Sequence, residues 1–435
     1  MINTFSELID LFEKSENLEK SPKLFRDDNY NLENIAKFLE FLGHPEKNIK
    51  IIHIAGSKGK GTISCILSAL IEKIGKKCGL FLSPHVYDYR ERFKNGSSFF
   101  CNRSYINAAR EFERYINQWE SKGNKLTTFE KYFAYALILF KMEGCEYAVL
   151  ETGLGGRKDA TNAVYSFVEI LSTIELEHTK ILGNTIKKIA IEKSKIIKPN
   201  SIVFALNNSN EVDEIFSLEA KRQNAKIYFL NDLITELDFK INGDMQENSF
   251  VDDDGFKYKY KTSLFGKAFA LDSALSIMCL KKLNLLTKNY TRIIEQISLP
   301  ARFEKIYCNS IPIILDGAHT EKSIMLTLET FLKLYGDGNT LIFGCAKDKN
   351  IKAISDILYS HFSTIIVQKP GNFKESSIDE IYNEFDNKKS PNAVICKFDN
   401  PRESLETALK ANKPVLITGS FYLCDEMNKA IKQKN

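Results

Sequence analysis

The sequence predicts a two-domain α/β protein that carries a phosphate-binding loop. Its 435 residues exceed the size at which a single hydrophobic core stops growing, so two domains are expected. Apolar β-like runs alternate with helical patterns along the chain, which is typical of parallel sheets covered by helices. Residues 51–62, IIHIAGSKGKGT, pass from an apolar strand through a loop of glycine, lysine and hydroxyl side chains into an apolar helix.

The first part of the chain contains five such runs with helical patterns between them. The predicted strands are Ile51–Ala55, Cys78–Leu82, Tyr147–Glu151, Phe167–Ile174 and Ile202–Ala205. The predicted helices repeat apolar side chains at helical spacing and are Leu32–Leu42, Ile63–Ile74, Tyr105–Ser121, Thr128–Met142 and Ile186–Ile197.

In the middle of the chain, the sequence predicts a β-hairpin and then a boundary between two domains. Short alternating runs within Leu237–Leu264 flank three aspartates and a glycine, which favours a β-hairpin. A helix over Ala268–Leu283 leads to a joint at Leu299–Arg302, and we therefore place the two domains at residues 1–297 and 298–435. The second domain is expected to be α/β, with strands Ile311–Asp316, Thr340–Phe343, Thr364–Val367, Ala393–Lys397 and Val415–Thr418.

Composition excludes several classes of protein. The net charge of +4 is small and the 60 basic residues are dispersed, so nucleic acid is not an expected partner. Nine cysteines without a C-x-x-C pair indicate free thiols in a reducing compartment rather than a disulfide frame or zinc site. No apolar run is long enough for a membrane span. We expect a cytoplasmic monomer with no membrane partner.

The loop at residues 56–62 predicts binding of a phosphorylated nucleotide. Backbone N–H groups and a helix N-terminus face the anion, Lys60 reaches the terminal phosphates, and the Thr62 hydroxyl is left for Mg²⁺. The loop departs from G-x-x-x-x-G-K-[ST], because Ile54 takes the first glycine position and Gly61 separates Lys60 from Thr62. A variant phosphate loop is therefore favoured over a generic one, and the structural alternative is an ordinary glycine-rich turn.

Polar side chains follow other strands of the first domain. Glu151 ends an apolar strand before a glycine-rich loop, where a carboxylate is well placed for Mg²⁺. Ser83 and His85 follow the strand at Cys78–Leu82, and His178 follows a later one. The alternative for the Glu151 segment is a strand cap with a turn. The alternative for His85 and for His178 is a structural histidine whose hydrogen bonds are satisfied within the protein.

The second domain shows the same pattern. Asp316 ends an apolar strand and could bind a ribose or an amine, while His319 could bind a carboxylate or transfer a proton. Ser420 follows the last predicted strand. Polar strand ends in two domains favour a site in the cleft between them, suited to ATP-driven joining or phosphoryl transfer.

These motifs together resemble the folylpolyglutamate synthase/dihydrofolate synthase family, a branch of the Mur ligase superfamily. The matching segments run in family order to the C-terminus. They are Ala55–Thr62, Leu82–His85 with Arg90–Arg92, Thr128–Glu130, Glu151–Asn162, Glu177–Gly183, Ile191–Ser194, Leu299–Phe303, Asp316–His319 and Gly419–Leu423.

The resemblance implies an ATP-dependent ligase with Mg²⁺ as cofactor. The family joins L-glutamate to dihydropteroate or to the γ-carboxylate of reduced folate, through an acyl phosphate. The implied fold is a P-loop-containing Mur ligase-like N-terminal domain with a mostly parallel sheet, plus a smaller Rossmann-like α/β C-terminal domain for glutamate. The first domain would hold the ATP, Mg²⁺ and pterin sites.

The resemblance also implies a role for individual residues. Catalytic roles fall on Lys60, Lys193 and His319, and Lys193 matches a lysine that the family carboxylates with CO₂. Nucleotide contacts fall on Gly59, Lys60, Gly61, Thr62, Asp272, Arg302 and Asp316. Mg²⁺ contacts fall on Ser83, Glu151, His178 and Thr62. Substrate contacts fall on Pro84, His85, Arg90, Phe129, Glu130, Asp159, Ala160, His319 and Ser420.

Four positions depart from the family pattern without removing a phosphate, metal or transfer group. They are Ser57-Lys58 in the loop, Lys158, the stretch Ala268–Asp272 where the family has a histidine, a glutamine and an asparagine, and Thr320. One alternative is another Mur-type ligase that acts on a cell-wall nucleotide, although those carry an extra domain before the phosphate loop. The other is an inactive ATP-binding homologue.

Overall fold

The computed structural model describes residues 1–16, 32–371, 375–388 and 393–434. These divide into two compact units. The first comprises Met1–Phe239, Glu247–Lys261 and Lys267–Ile297, and the second comprises Lys240–Gln246, Thr262–Gly266 and Ser298–Asn435. Among the described residues, no helix is both long and apolar enough to cross a membrane.

An eight-stranded sheet forms the centre of the first unit. Its strands are β1 Lys50–Ala55, β2 Cys78–Phe81, β3 Phe93–Asn95, β4 Ser98–Phe99, β5 Tyr147–Glu151, β6 Val168–Leu171, β7 Ile202–Ala205 and β8 Lys226–Phe229. The order is β4-β3-β2-β5-β1-β6-β7-β8, and only the β2–β3 and β3–β4 pairs are antiparallel. The predicted mostly parallel α/β fold is therefore confirmed.

Strand register brings the site residues to one edge of this sheet. Central strand β1 is buried on both sides between β5 and β6, with Ile54 opposite Glu151 and Ala55 opposite Leu171. Because parallel strands end at the same edge, the loops after β1, β5 and β6 meet there. Strand β6 is shorter than the predicted Phe167–Ile174, since the Thr173 carbonyl turns to accept the backbone N–H groups of Ser57 and Lys58 at 2.7 and 3.3 Å.

Helices pack against this sheet. They are α1 Phe5–Glu13, α2 Glu33–Phe41, α3 Lys60–Lys73, α4 Asn102–Glu120, α5 Thr128–Met142, α6 Thr179–Leu182, α7 Ile186–Ser194, α8 Asn210–Arg222, α9 Leu230–Leu233, α10 Lys267–Lys282 and α11 Tyr290–Glu295. Among the described residues, 3₁₀ helices occupy Tyr89–Arg92 and Ala160–Ala163. Aromatic side chains of α1, α2, α4 and α5 pack together, with Phe12 in contact with Phe112, Tyr132 and Tyr135.

The predicted hairpin within Leu237–Leu264 is confirmed at the turn formed by residues 252–256, but it belongs to a sheet of three strands, one more than predicted. The strands are β9 Ile234–Asn242, β10 Met245–Asp252 and β11 Lys257–Thr262, in the order β11-β10-β9. Alternate residues of β10 and β11 are buried, so these two strands carry the pattern that the sequence displays. Strand β9 is largely exposed and gives a weaker signal.

A six-stranded sheet forms the centre of the second unit. Its strands are β12 Glu304–Cys308, β13 Ile311–Asp316, β14 Asn339–Phe343, β15 Phe362–Gln368, β16 Val394–Phe398 and β17 Val415–Thr418, in the order β12-β13-β17-β14-β15-β16. Only the β12–β13 pair is antiparallel. The helices are α12 Glu321–Tyr335, α13 Ile351–Leu358, α14 Ile378–Asp386, α15 Pro401–Lys410 and α16 Phe421–Lys434. The ends of β13 and β17 lie side by side, with Asp316 opposite Thr418.

Candidate active site

The loop between β1 and α3 is fixed in position by hydrogen bonds with the end of β6 and the segment that follows it. The Ser172 hydroxyl donates to the Lys58 carbonyl at 2.6 Å, and the Ser57 hydroxyl donates to the Glu175 carbonyl at 3.1 Å. Gly59 adopts a left-handed conformation and is followed by Lys60 as the first residue of α3. The amides at the start of this 14-residue helix are therefore available to an anion.

Two lysine side chains converge on one backbone carbonyl beneath this loop. The Nζ atoms of Lys60 and Lys193 lie 2.9 and 2.7 Å from the Gly56 carbonyl oxygen. Glu177 completes the group, because one of its carboxylate oxygens lies 2.8 Å from Lys193 Nζ. The structure thus brings together the two predicted catalytic lysines, which are far apart in the sequence.

Burial changes the protonation of this group. Lys193 is only 1% exposed, and desolvation together with the Lys60 charge lowers the pKa of its amine to about 8. Burial by itself would raise the pKa of Glu177, but the Lys193 and Lys60 charges bring that pKa below its usual value. Glu177 is therefore ionised at neutral pH, while an appreciable fraction of Lys193 is neutral.

Glu151 faces the start of α3 from the end of β5. Its carboxylate accepts the Ser83 backbone N–H at 3.2 Å, and a methyl group placed on Gly61 would lie 3.7 Å from the same oxygen. Thr62 is nearly buried one residue further along. Carboxylate and hydroxyl oxygens are the ligands that Mg²⁺ prefers, so Glu151, Thr62 and Ser83 fit this ion chemically.

His178 is exposed at the N-terminus of α6 and directly follows Glu177. Within the described residues, only Asp252, Asp253 and Asp254 form a tight group of three or more potential acidic, histidine or cysteine ligands. That group is paired with lysines, because Lys281 lies 2.6 Å from Asp252 and Asp254 and Lys282 lies 2.6 Å from Asp253. These ion pairs explain why the three aspartates lie close together without a metal ion.

The segment after β2 places His85 among aromatic and charged groups. The Nε of Arg92, a buried residue, donates to His85 Nδ1 at 2.8 Å, and the guanidinium lies 4.6 Å from the centre of the Tyr132 ring. The His85 ring contacts the Tyr89 ring with centroids 3.9 Å apart. Burial and the Arg92 charge lower the pKa of His85 to about 3, so the imidazole is neutral and holds its proton on Nε2.

The other residues predicted on the pterin side lie in three environments. Pro84 is exposed, and Arg90 is partly exposed in an ion pair with Asp88 at 2.5 Å. Phe129 is nearly buried against Gly153, whose added methyl group would lie 2.5 Å from the ring. Glu130 is buried and accepts the Thr127 N–H and hydroxyl at 2.8 and 2.9 Å, which caps α5.

Asp159 and Ala160 are buried in the loop after β5. The Asp159 carboxylate accepts the Leu154 and Thr161 backbone N–H groups at 2.8 and 3.0 Å, so it fixes the loop from inside. Burial raises the pKa of Asp159. Ala160 starts the 3₁₀ helix and is 1% exposed.

The Asp272 side chain lies directly against the phosphate loop. Gly59 has a φ of 85°, and a methyl group placed there would lie 2.5 Å from an Asp272 carboxylate oxygen. Asp272 is 2% exposed. Close approach and left-handed backbone therefore both require glycine at position 59.

Gly59→Ala is expected to weaken ATP binding by at least about tenfold, because the loop must move away from Asp272. Gly75→Ala is a matched control, since Gly75 also has a positive φ of 82° but has open space around it. Both variants should lose about 1 kcal/mol of unfolding free energy from backbone strain. Calorimetric titration with ATP measures the difference, and equal affinities in the two variants would contradict this role for Gly59.

Four predicted residues of the second unit gather at the ends of β13 and β17. Asp316 accepts the Phe303 and Ala318 N–H groups at 2.8 and 2.9 Å and the Thr327 hydroxyl at 3.0 Å. Burial raises its pKa, an effect that the nearby Arg302 charge opposes. Arg302 is exposed, with its guanidinium 4.6 Å from the centre of the Phe421 ring.

His319 and Ser420 flank the same place. His319 Nδ1 lies 2.8 Å from the Gly317 carbonyl oxygen, to which it donates, so the acceptor lone pair of the neutral ring is on Nε2. Ser420 is nearly buried just before α16, and its hydroxyl accepts the Tyr422 N–H at 3.2 Å.

Sequence reasoning assigned no role to Glu177, Arg92 or the Gly56 carbonyl. Glu177 and Arg92 stand inside segments that the sequence singled out, next to His178 and Arg90. Their position directly beside a predicted ligand was the available signal. For the Gly56 carbonyl the sequence offers none, because every residue carries one.

Comparisons with known proteins identify the family of this chain. A family model described as the Mur ligase middle domain matches residues 54–280, which is more than half of the chain. A second, described as the Mur ligase, glutamate ligase domain, matches residues 301–421. The dihydrofolate synthase/folylpolyglutamate synthase of Bacillus subtilis (strain 168) is 28% identical over 423 residues, covering 92% of this chain and 95% of that protein.

Solved structures show the same fold. Apo folylpolyglutamate synthase of L. casei has a TM-score of 0.85 at 23% identity, covering 99% of this chain and 100% of that one. A folylpolyglutamate synthase in complex with AMPPCP and folate has a TM-score of 0.79 at 24% identity, covering 97% and 98%. The resemblance seen in the sequence is therefore confirmed, and the chain belongs to the folylpolyglutamate synthase/dihydrofolate synthase family of Mur ligases.

Proposed function

We propose that the protein is an ATP-dependent ligase that joins L-glutamate to dihydropteroate, to the γ-carboxylate of reduced folate, or to both. The observation that carries this proposal is the convergence of Lys60 and Lys193 on the Gly56 carbonyl, under a helix N-terminus that faces Glu151. The Lys60 charge and the helix amides in that arrangement suit a phosphoryl group in transfer. The relative solved with AMPPCP and folate supports the same two ligands here.

The reaction needs a carboxylate to become electrophilic before an amine can attack it. The pterin-linked carboxylate takes the γ-phosphoryl group of ATP, ADP leaves, and an acyl phosphate forms. The glutamate nitrogen then attacks the acyl carbon, loses its proton, and expels phosphate. Lys60 and the first amides of α3 neutralise phosphate charge during the first transfer. Mg²⁺, which Glu151, Thr62, Ser83 and His178 would hold, would supply further charge neutralisation.

Lys193 is proposed to carry a carboxylate formed from CO₂. The neutral amine attacks the carbon of CO₂, one C=O electron pair moves to oxygen, and the nitrogen loses a proton. The lowered pKa of Lys193 supports this, because only the neutral amine reacts. The product would place a negative group near the metal ligands.

The two units are proposed to divide the work. The domain at residues 1–297 would bind ATP, Mg²⁺ and the pterin, with Pro84, His85, Phe129 and Asp159 on the pterin side. The domain at residues 298–435 would bind glutamate through His319 and Ser420, with Arg302 and Asp316 contacting ATP. A cytoplasmic monomer is the proposed working form.

The test is ADP release by the purified protein with Mg²⁺-ATP and L-glutamate, adding dihydropteroate or tetrahydrofolate in turn. Release that needs glutamate and one pterin supports the ligase and identifies its substrate, and release with both identifies a bifunctional enzyme. A uridine nucleotide of the cell-wall type serves as the control substrate. If neither pterin supports glutamate-dependent ADP release, the proposal is overturned. ADP release with the control nucleotide alone would favour another Mur-type ligase.

A further inference from the structure

A buried chain of three side chains connects the central strand to the loop after Glu151. His53 Nε2 lies 2.7 Å from the Thr161 hydroxyl, and that hydroxyl lies 2.5 Å from an Asp159 carboxylate oxygen. The three side chains are at most 1% exposed. The carboxylate accepts, so the Thr161 hydroxyl must donate to it, and the hydroxyl oxygen therefore accepts from His53 Nε2–H.

His53 is an unusual choice for its position. It shares a face of β1 with Ile51 and Ala55, which are buried and apolar, and its other ring nitrogen, Nδ1, has no hydrogen-bond partner among the described residues. Burial and the Lys198 charge lower the pKa of His53 to about 3, so it stays neutral. An apolar residue would avoid the cost of a buried, unsatisfied nitrogen, so stability alone does not explain the histidine.

The far end of the chain reaches Lys193. The second Asp159 oxygen accepts the Leu154 N–H at 2.8 Å, which fixes the start of the loop. Further along, the Arg157 N–H donates to the Glu192 carbonyl at 3.1 Å, and a methyl group on Gly156 would lie 3.0 Å from the Lys193 Cα. The loop therefore rests directly on the backbone that carries Lys193.

We infer that His53 and Thr161 are positioning residues for the ligase: through Asp159 they fix the loop at residues 153–157, which sets the place of Lys193 relative to Glu151 and the phosphate loop. This inference rests on the proposed function, since the positioning of Lys193 by His53 and Thr161 is assigned to the ligase reaction. Strand β1 leads into the phosphate loop at one end and holds His53 in its middle. One strand thus aligns both halves of the site.

Thr161→Val and Thr161→Ser form a matched pair for the test. Valine keeps the shape and removes the hydroxyl, whereas serine keeps the hydroxyl. Thr161→Val is expected to lower kcat about tenfold or more while the KM for ATP stays within about twofold, because the phosphate loop is held separately. Thr161→Ser should retain most of the turnover. His53→Phe should resemble Thr161→Val, and the double variant should be no worse than either, because both break one chain.

Amide hydrogen exchange provides a readout that needs no activity. The Leu154 amide should exchange at least about tenfold faster in Thr161→Val than in Thr161→Ser. A folded Thr161→Val variant with wild-type kcat and wild-type Leu154 exchange would overturn the inference, as would additive losses in the double variant. If Thr161→Val does not fold, His53→Phe decides by the same two measurements. Inactivity of the wild type would instead count against the proposed function, and the exchange result would still decide whether the chain fixes the loop.

Discussion

Lys60→Ala is expected to lower kcat by about 10³-fold, because it removes a fixed charge that stabilises the phosphoryl group only where charge develops. The ammonium lies at the first residue of α3, 2.9 Å from the Gly56 carbonyl oxygen, so the fold orients it before any ligand arrives. The measurement is ADP release with the pterin substrate that supports wild-type turnover.

Lys73→Ala is the matched control, since Lys73 is exposed in the last turn of the same helix. It should keep wild-type turnover, which separates the position of the charge from its mere presence on α3. A Lys60→Ala enzyme that keeps a tenth or more of the wild-type kcat would contradict the assigned role. It would also favour the alternative of an ATP-binding homologue whose task does not depend on phosphoryl transfer.

The sequence predicts those features that local pattern controls. Ile51–Thr62 fixes a strand, a loop and a helix within a few residues, so the phosphate loop and the parallel sheet follow from spacing alone. Strands β1, β5, β7 and β13 begin and end within one residue of prediction because their burial makes them mostly apolar. Exposed strands such as β9 lack that pattern, and the sequence analysis missed this third strand for that reason.

The sequence does not give the direction in which a buried polar side chain points. Asp159 and Asp316 follow strands as ligands do, yet both carboxylates accept backbone N–H groups and hold their own loops. Whether they also contact substrate stays a prediction. The pairing of Glu177 with Lys193, and of His53 with Thr161, depends on tertiary folding and leaves no mark in local spacing.

Lys193→Ala is expected to lower kcat by about 10²-fold or more, since it removes a buried side chain that contacts the Gly56 carbonyl of the phosphate loop. Lys195→Ala is the matched control, because Lys195 lies two residues from Lys193. Its side chain forms an ion pair with Glu219, whereas Lys193 contacts the Gly56 carbonyl. Chemical rescue identifies the group that was lost. Acetate should restore part of the turnover if Lys193 works as a carboxylate, whereas methylammonium should do so if it works as a cation.

The pH dependence gives an independent test with a definite sign. Burial and the Lys60 charge lower the pKa of Lys193 to about 8, so the neutral fraction rises with pH and levels off above that value. Enzyme freed of CO₂ should therefore regain activity at a fixed bicarbonate concentration, and the regain should grow about tenfold per pH unit between roughly pH 6 and 7 and more slowly towards pH 8. Removing the Lys60 charge would raise the Lys193 pKa and move this rise to higher pH. Turnover that is independent of bicarbonate, together with rescue of Lys193→Ala by methylammonium alone, would mean that Lys193 acts as a second ammonium beside Lys60.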